Sequence, residues 1–490
     1  MPPNNSQTDS THTQVPHSKI AKAIKRVIVG IDFGTSTTKA MYRPVELGAS
    51  TRLIDFAHGH RKFPSYAMPS SVRLDSEHRM WFGAIAEDGH GQIFRSFKVC
   101  VACQVGAISC RGCNQNDAEK NALPLGRFAD SLFGFITAYE LMVYYLAWLL
   151  HEVDKIIRRE LGEFVEPELQ YNLGVPVAHL NAKPELVDRF EWILHTAVAL
   201  RGKIQQGISA MQARSLLIEI LPDSMLPPPD YRRHRALPET VAAAMWLQKN
   251  ANGIDSTNYM LVDIGAGTTD ITIYRYNQVN SDKLPIYGAK SVSVAGDNID
   301  FSTIQWFARK YGVEIGNASQ LPSALRQEIR CRKEILPRPD KPMEAVLGKK
   351  MIALDEQTYI REIVKPHAES IYTATNETFR DAYQLAHHVL QWPEMRIVLL
   401  GGGSRIVGMR QYFKDHRLRH FMEQHVLEQQ IATNVDMTGV KDFQLLAVAY
   451  GLAFPFAEFP GVRMPNQIQP MQQDEPTQEP EYNENALLSN

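Results

Sequence analysis

The chain carries almost no net charge: 52 Lys and Arg stand against 54 Asp and Glu, a formal −2. That balance removes any bulk-electrostatic argument for nucleic acid or anionic membrane as a partner. The first twenty residues are polar and lack the apolar core of a signal peptide, which argues against secretion and for a cytoplasmic protein. Long hydrophobic runs are scarce too. One stretch has bilayer length, Ser131–Leu150 (SLFGFITAYELMVYYLAWLL). Glu140 lies near its centre, where a charge costs roughly 2.5–3.5 kcal/mol on insertion. The charged run HEVDKIIRRELG continues the same pattern, so the stretch reads as a buried helix from Leu132 to about Leu161.

What is present is a globular chain of more than one lobe. At 490 residues it exceeds the size of a single core, and 44% hydrophobic with 22% charged residues is an ordinary globular balance. Its most informative feature is a pair of matched segments, Val27–Tyr42 (VIVGIDFGTSTTKAMY) and Tyr259–Tyr274 (YMLVDIGAGTTDITIY). Each has an apolar β-prone run ending in Asp, then a hydrophobe, a Gly, and Thr-Thr two residues on, before a second β-like run. The two Asp residues lie 231 positions apart, too far for a tandem repeat of small units. A duplicated α/β half, with one hairpin from each half facing a cleft, explains the pair.

Such hairpins suit phosphate. Glycine lets backbone approach an anion and turn N–H groups toward its oxygens, which Gly34, Gly265 and Gly267 fit. Thr35, Ser36, Thr37, Thr268 and Thr269 add hydroxyl donors. Asp32 and Asp263 would hold Mg²⁺ largely through its waters, since that ion dehydrates reluctantly. Further along, helical patterns occupy Pro238–Lys249, Asn298–Tyr311, Ser323–Leu336, Tyr359–Leu390 and Phe443–Phe454. A strand at Arg396–Leu400 runs into GGGSRI.

These motifs together resemble the superfamily of actin, sugar kinases and the 70-kDa heat-shock chaperone ATPase domains. PETVAAAMWL is similar to the chaperone helix that connects the lobes and would place Glu239 at the shell of Mg²⁺-bound water. VAGDNIDFSTIQWF is similar to the Gly-Gly-x-x-Phe-Asp helix start, matching Gly296 and Asp300. IVLLGGGSRIVGM resembles the adenosine loop, so Gly401, Gly402, Gly403 and Arg405 would flank the nucleoside, with Lys333 on the base helix. AVAYGLA matches the closing helix of the first lobe. The resemblance implies a two-lobed α/β actin-like ATPase with duplicated ribonuclease-H-like halves. Residues 1–25 form a disordered arm, 26–250 the first lobe with a Cys-rich insertion at 99–122, and 258–431 the second lobe. Residues 432–460 then return to the first lobe, and 464–490 form a disordered tail.

The same resemblance implies a mechanism. ATP lies between the lobes with Mg²⁺ on its β- and γ-phosphates. Asp32 and Asp263 anchor the ion's hydration, Asp270 and Glu239 support it, and Thr35 and Thr268 meet the γ-phosphate. Lys98 (RSFKV) stabilises charge and positions water, and Pro176 (GVPV) couples nucleotide state to the lobes. Two departures bear on base contacts: Arg330 stands where the family has Glu, and Leu445 where it has Asp. No peptide-binding domain is expected after the last helix. The leading expectation is therefore a stand-alone ATPase switch read by a partner protein. An actin-like filament former, with self-association, and a small-molecule kinase of the same fold are the alternatives. The kinase needs a general base for its acceptor hydroxyl, and no clear motif supplies one.

Four of the five cysteines, Cys100, Cys103, Cys110 and Cys113, form a C-x₂-C-x₆-C-x₂-C pattern just after Lys98. Two such knuckles suit a closed tetrahedral Zn²⁺ site of structural type. An iron–sulfur cluster, redox disulfides and unligated thiols stay open. Cys331 reads as an inert helix thiol, His58–His60 as loop, and Trp148, Trp192, Trp246 and Trp306 as core.

Overall fold

Two sheets of one construction organise the chain in the computed structural model. It describes residues 22–60, 63–104, 122–127, 135–220, 233–250, 258–275, 283–312, 329, 333, 337–347, 350–386, 394–416, 423–426, 435–436 and 443–468. In the first sheet β1 (Ala23–Phe33) turns back into antiparallel β2 (Thr37–Pro44), which pairs with β3 (Thr51–Leu53). On its other side β1 runs parallel to β4 (Val165–Val175), and β4 to β5 (Arg235–Pro238). The second sheet repeats this pattern. There β6 (Asn258–Ile264) turns into antiparallel β7 (Thr269–Arg275), which pairs with β8 (Lys283–Val292). Parallel to β6 lies β9 (Glu394–Leu400), and beside it β10 (Glu423–Val426). The duplicated α/β halves expected from the matched segments are thus visible as one strand order used twice.

The return segment stitches the halves together. Strand β11 (Val435–Asp436) pairs with β3 at the edge of the first sheet, while β12 (Gly461–Arg463) joins β8 in the second. The first-sheet strand β1 is buried along its whole centre, Val27 to Ile31, because helices cover both faces. A strand covered on both sides reads as an unbroken apolar run, not an alternating one, which is why VIVGI stands out in the sequence.

The helices fall close to their expected places, with local differences at their ends. Helix α1 (Phe97–Gln104) carries Lys98 and the first two clustered cysteines. Helix α2 (Ala138–Leu161) starts six residues later than Leu132, because Thr137 caps it. The Thr137 hydroxyl accepts from the Glu140 N–H at 3.1 Å, and the Glu140 carboxylate accepts from the Thr137 N–H at 2.8 Å. Glu140 also accepts from Arg214 Nε at 2.6 Å. The charge that argued against a membrane span is therefore a capping residue in the first turn. Among the described residues no helix is long and apolar enough to cross a membrane.

After β4 the chain bends at Pro176 into the short helix α3 (Val177–Ala182), then α4 (Leu186–Leu200), which packs on α2. Helix α5 (Glu239–Asn250) precedes the second lobe, where α6 (Gly296–Tyr311) and α7 (Lys365–Ala386) cover the sheet. The expected Phe443–Phe454 helix is broken: a 3₁₀ turn at Phe443–Leu445 precedes a six-residue α8 (Ala447–Leu452). Trp148, Trp246 and Trp306 are buried, and Trp192 is half-buried against Tyr139, with ring centres 4.8 Å apart. The amino-terminal arm, the tail from 469 and most of the helix expected at Ser323–Leu336 fall outside the described residues.

Helices α5 and α8 cross between the sheets and form a core shared by both lobes, with Met41 from one and Tyr259, Leu261 and Tyr274 from the other. Their approach depends on Gly451. A Cβ there would sit 1.9 Å from the Ala242 carbonyl oxygen, backbone against backbone. Gly451→Ala should cost at least about 1–3 kcal/mol as an overpacked contact. A thermal melt checks this, and an unchanged midpoint would show that the crossing yields.

Candidate functional site

The two hairpin turns face each other across one cleft. It is lined by Asp32, Gly34, Thr35, Ser36, Thr37, Lys98, Glu239, Asp263, Gly265, Thr268, Asp270, Lys333, Gly401, Gly402, Gly403 and Arg405 among the candidate residues. The turns come close enough that a Cβ on Gly267 would lie 3.1 Å from Thr35 Cγ2. Four candidates do not line the cleft. Gly267 meets Thr35 at the turn tips, and the Thr269 hydroxyl is buried, donating to the Val294 carbonyl at 2.6 Å. The Gly296 N–H donates to the Gly265 carbonyl at 3.0 Å, so the start of α6 braces the second turn. Asp300 is buried in an ion pair with Lys333 Nζ at 2.8 Å.

The glycines serve the site in a different way from the one expected. The Gly34 N–H bonds the Asp32 carbonyl at 3.1 Å and the Gly265 N–H the Thr268 carbonyl at 3.0 Å, so both close their own turns. Their use is the missing side chain: a Cβ on Gly34 would lie 2.5 Å from the Thr37 carbonyl oxygen. Gly401 shows the same need most sharply. It has φ +75°, and a Cβ there would sit 2.4 Å from Asp263 Oδ1.

The hairpins match in shape and differ in charge. Across the first, Asp32 is paired in register with Lys39, whose Nζ reaches Asp32 Oδ2 at 3.1 Å. Across the second, the residue opposite Asp263 is Asp270, a like-charge pair that opposes folding. Burial pushes the Asp263 carboxyl up to about 8, and Glu239, Asp32 and Asp270 push it the same way while Lys39 opposes them. Burial also raises Glu239 to about 7, against the pull of Lys98, with Asp32 and Asp270 adding to the rise. Lys98 Nζ meets Glu239 Oε1 at 2.5 Å, joining α1 to α5. At full ionisation these four carboxylates face Lys39 and Lys98, an excess of two negative charges. A divalent cation fits that excess. Among the described residues no three His, Cys, Asp or Glu side chains form a direct metal-ligand set, so these carboxylates would meet Mg²⁺ through its waters.

Several lining residues carry no signal in the sequence reading, among them Lys39, Phe63, Pro64, His179 and Gln444. Lys39 was accessible in principle, since a three-residue turn sets it opposite Asp32. His179 lies in VAHL after Pro176, with no motif or periodicity to mark it. Of the cysteines, Cys100 is buried and Cys103 half-buried on α1, while Cys110, Cys113 and Cys331 lie outside the described residues.

Residues 235–436 match the family model of the MreB/Mbl protein. The chain has the actin-like ATPase fold. That match, together with a weaker similarity to heat-shock-type chaperones, supports the wider superfamily of actin-like and 70-kDa heat-shock ATPases. Chaperone protein HscA homologs of Acinetobacter baumannii strains ATCC 17978, AYE and ACICU are each 25% identical over 167 residues, 34% of this chain and 25% of theirs. The matched stretch therefore spans about a quarter of the length of these curated relatives.

Proposed function

We propose that the chain binds Mg²⁺-ATP in this cleft and hydrolyses it, and that the bound nucleotide governs its self-association into filaments. The observation that carries the ATPase reading is the pair of equivalent turns facing one another with an excess of carboxylate behind them. Asp32 and Asp263, backed by Glu239 and Asp270, would hold Mg²⁺ through its waters, and the ion when bound offsets charge on the β- and γ-phosphates. The hydroxyls of Thr35, Ser36, Thr37 and Thr268 line the phosphate end and orient it. Gly401, Gly402, Gly403 and Arg405 line the cleft beside the second hairpin, where a nucleoside would lie near the Lys333–Asp300 pair. Lys98, held by Glu239, sets a positive charge beside the transferring group. Phosphoryl transfer asks mainly for such positioning and charge.

The filament reading rests on the MreB/Mbl match over 235–436, which takes in α5 and almost the whole second lobe. MreB-like proteins self-associate into filaments. The HscA similarity favours a second reading, a heat-shock-70-like switch whose lobe opening is read by a partner protein. Sedimentation at micromolar protein separates the two. We expect ATP to drive the chain into the pellet and its omission to leave it in the supernatant. Steady ATP turnover with no pelleting under any nucleotide would replace the filament with the switch.

A further inference from the structure

Among the described residues, two buried polar atoms of the cleft have no hydrogen-bond partner: His179 Nε2 and Asp270 Oδ1. Buried polar groups are almost always bonded, so two orphans that also line the cleft call for a water or ligand group to satisfy them. His179 is 3% exposed, and both residues line the cleft. They come from different lobes. The bend at Pro176 starts α3, which carries His179 and packs against β7, the strand that bears Asp270. The other Asp270 oxygen, Oδ2, already accepts from the Thr268 hydroxyl at 3.1 Å, which fixes the carboxylate and leaves Oδ1 as its unbonded atom.

We infer, resting on the ATPase reading above, that His179 Nε2 and Asp270 Oδ1 together hold the attacking water. Both atoms are acceptors when the imidazole is neutral and protonated on Nδ1. A water between them donates one O–H to each, and its remaining lone pairs point away, toward the γ-phosphate. Burial holds the His179 imidazole below its ordinary pKa, and Lys98 pushes the same way against Asp270, so the ring is neutral and Nε2 is free to accept in the Nδ1–H tautomer. As the water oxygen bonds to γ-phosphorus, the bond from that phosphorus to the β–γ bridging oxygen breaks and ADP leaves. The proton lost by the water goes to His179 Nε2 and then to the phosphate product. The geometry thereby assigns the first lobe a catalytic side chain on α3, beside the Asp and Lys groups already placed.

Steady-state hydrolysis and binding of a fluorescent ATP analogue, on the full chain with Mg²⁺, test this. His179→Leu should lower kcat by about 10²-fold while KM and analogue affinity stay within about twofold. His179→Gln, whose amide oxygen can accept from the same water but cannot take its proton, should leave kcat between those of His179→Leu and the parent. A His179→Leu variant that turns over at the parental rate overturns the assignment. So does a pair of variants that lose affinity and thermal stability together, because that is the mark of packing. If the parent chain binds the analogue but turns over no ATP, hydrolysis fails and the water site with it, while nucleotide binding stands. If the parent binds no analogue, the cleft reading itself falls.

Discussion

Asp263→Asn should lower ATP turnover by about 10²–10³-fold and, without divalent cation, make the protein more stable at pH 8. The two effects have one origin. Asp263 is half-buried at the end of β6, faces Asp270 across the hairpin, and has Asp32 and Glu239 nearby. Those neighbours suit a hydrated dication and burden the protein when none is there. Folding raises the Asp263 carboxyl from an ordinary 3.8 to about 8, so the fold favours its protonated form. That contribution is complete below about pH 3.8 and is lost as pH rises through 8. Melting in EDTA should therefore give a midpoint that falls between pH 6 and pH 9 in the parent chain, and Mg²⁺ should recover it most at the alkaline end. Asp263→Asn removes the titrating group, so its midpoint should depend less on pH and respond less to Mg²⁺. A variant that hydrolyses ATP at the parental rate would remove Asp263 from the site. A parent whose EDTA midpoint rises with pH would show that the repulsion is relieved elsewhere.

How much of this was legible in the sequence depended on whether chemistry repeats or differs. The duplicated halves were readable because D-x-G-x-x-T-T needs the same turn twice, and the turn dictates the strands on either side. The charge difference was also written there, since the position after Thr-Thr is Lys39 in one copy and Asp270 in the other. A search for similarity passes over it, because its meaning depends on cross-strand register. Helix ends were blurred where a side chain decides them: Thr137 caps the helix at Ala138, inside an apolar run that offers no such mark. The 3₁₀ break before Ala447 has no such marker, and α8 is short enough that packing on α5 decides it. Asp300 and Thr269 read as ligand residues from their motifs, but backbone and ion-pair partners already occupy them. His179 was out of reach for the opposite reason, since only the packing of α3 on the second lobe gives it a role.

Lys98→Met should cost more than the loss of a catalytic charge. Lys98 is the second residue of α1 and Glu239 the first of α5, and their side chains are 8% and 13% exposed. The pair lies too deep for solvent to replace a missing partner. Removing one member of a buried pair typically destabilises by about 3–5 kcal/mol, because the other charge is left without compensation. Glu239 can escape part of that cost by taking a proton. With Lys98 present its carboxyl sits at about 7, and Lys98 is the group that holds it down. Without Lys98 it moves higher, so at pH 6 the variant buries a neutral acid and at pH 8.5 a strained anion. The stability loss measured by denaturant unfolding should accordingly be larger at pH 8.5 than at pH 6. The double variant Lys98→Met/Glu239→Gln should regain most of the stability, since no uncompensated charge remains, while turnover stays low. If the double variant were as unstable as Lys98→Met alone, the packing of the Lys98 stem would be the cause. If Lys98→Met hydrolysed ATP normally, the pair would be a brace between α1 and α5 with no part in the chemistry.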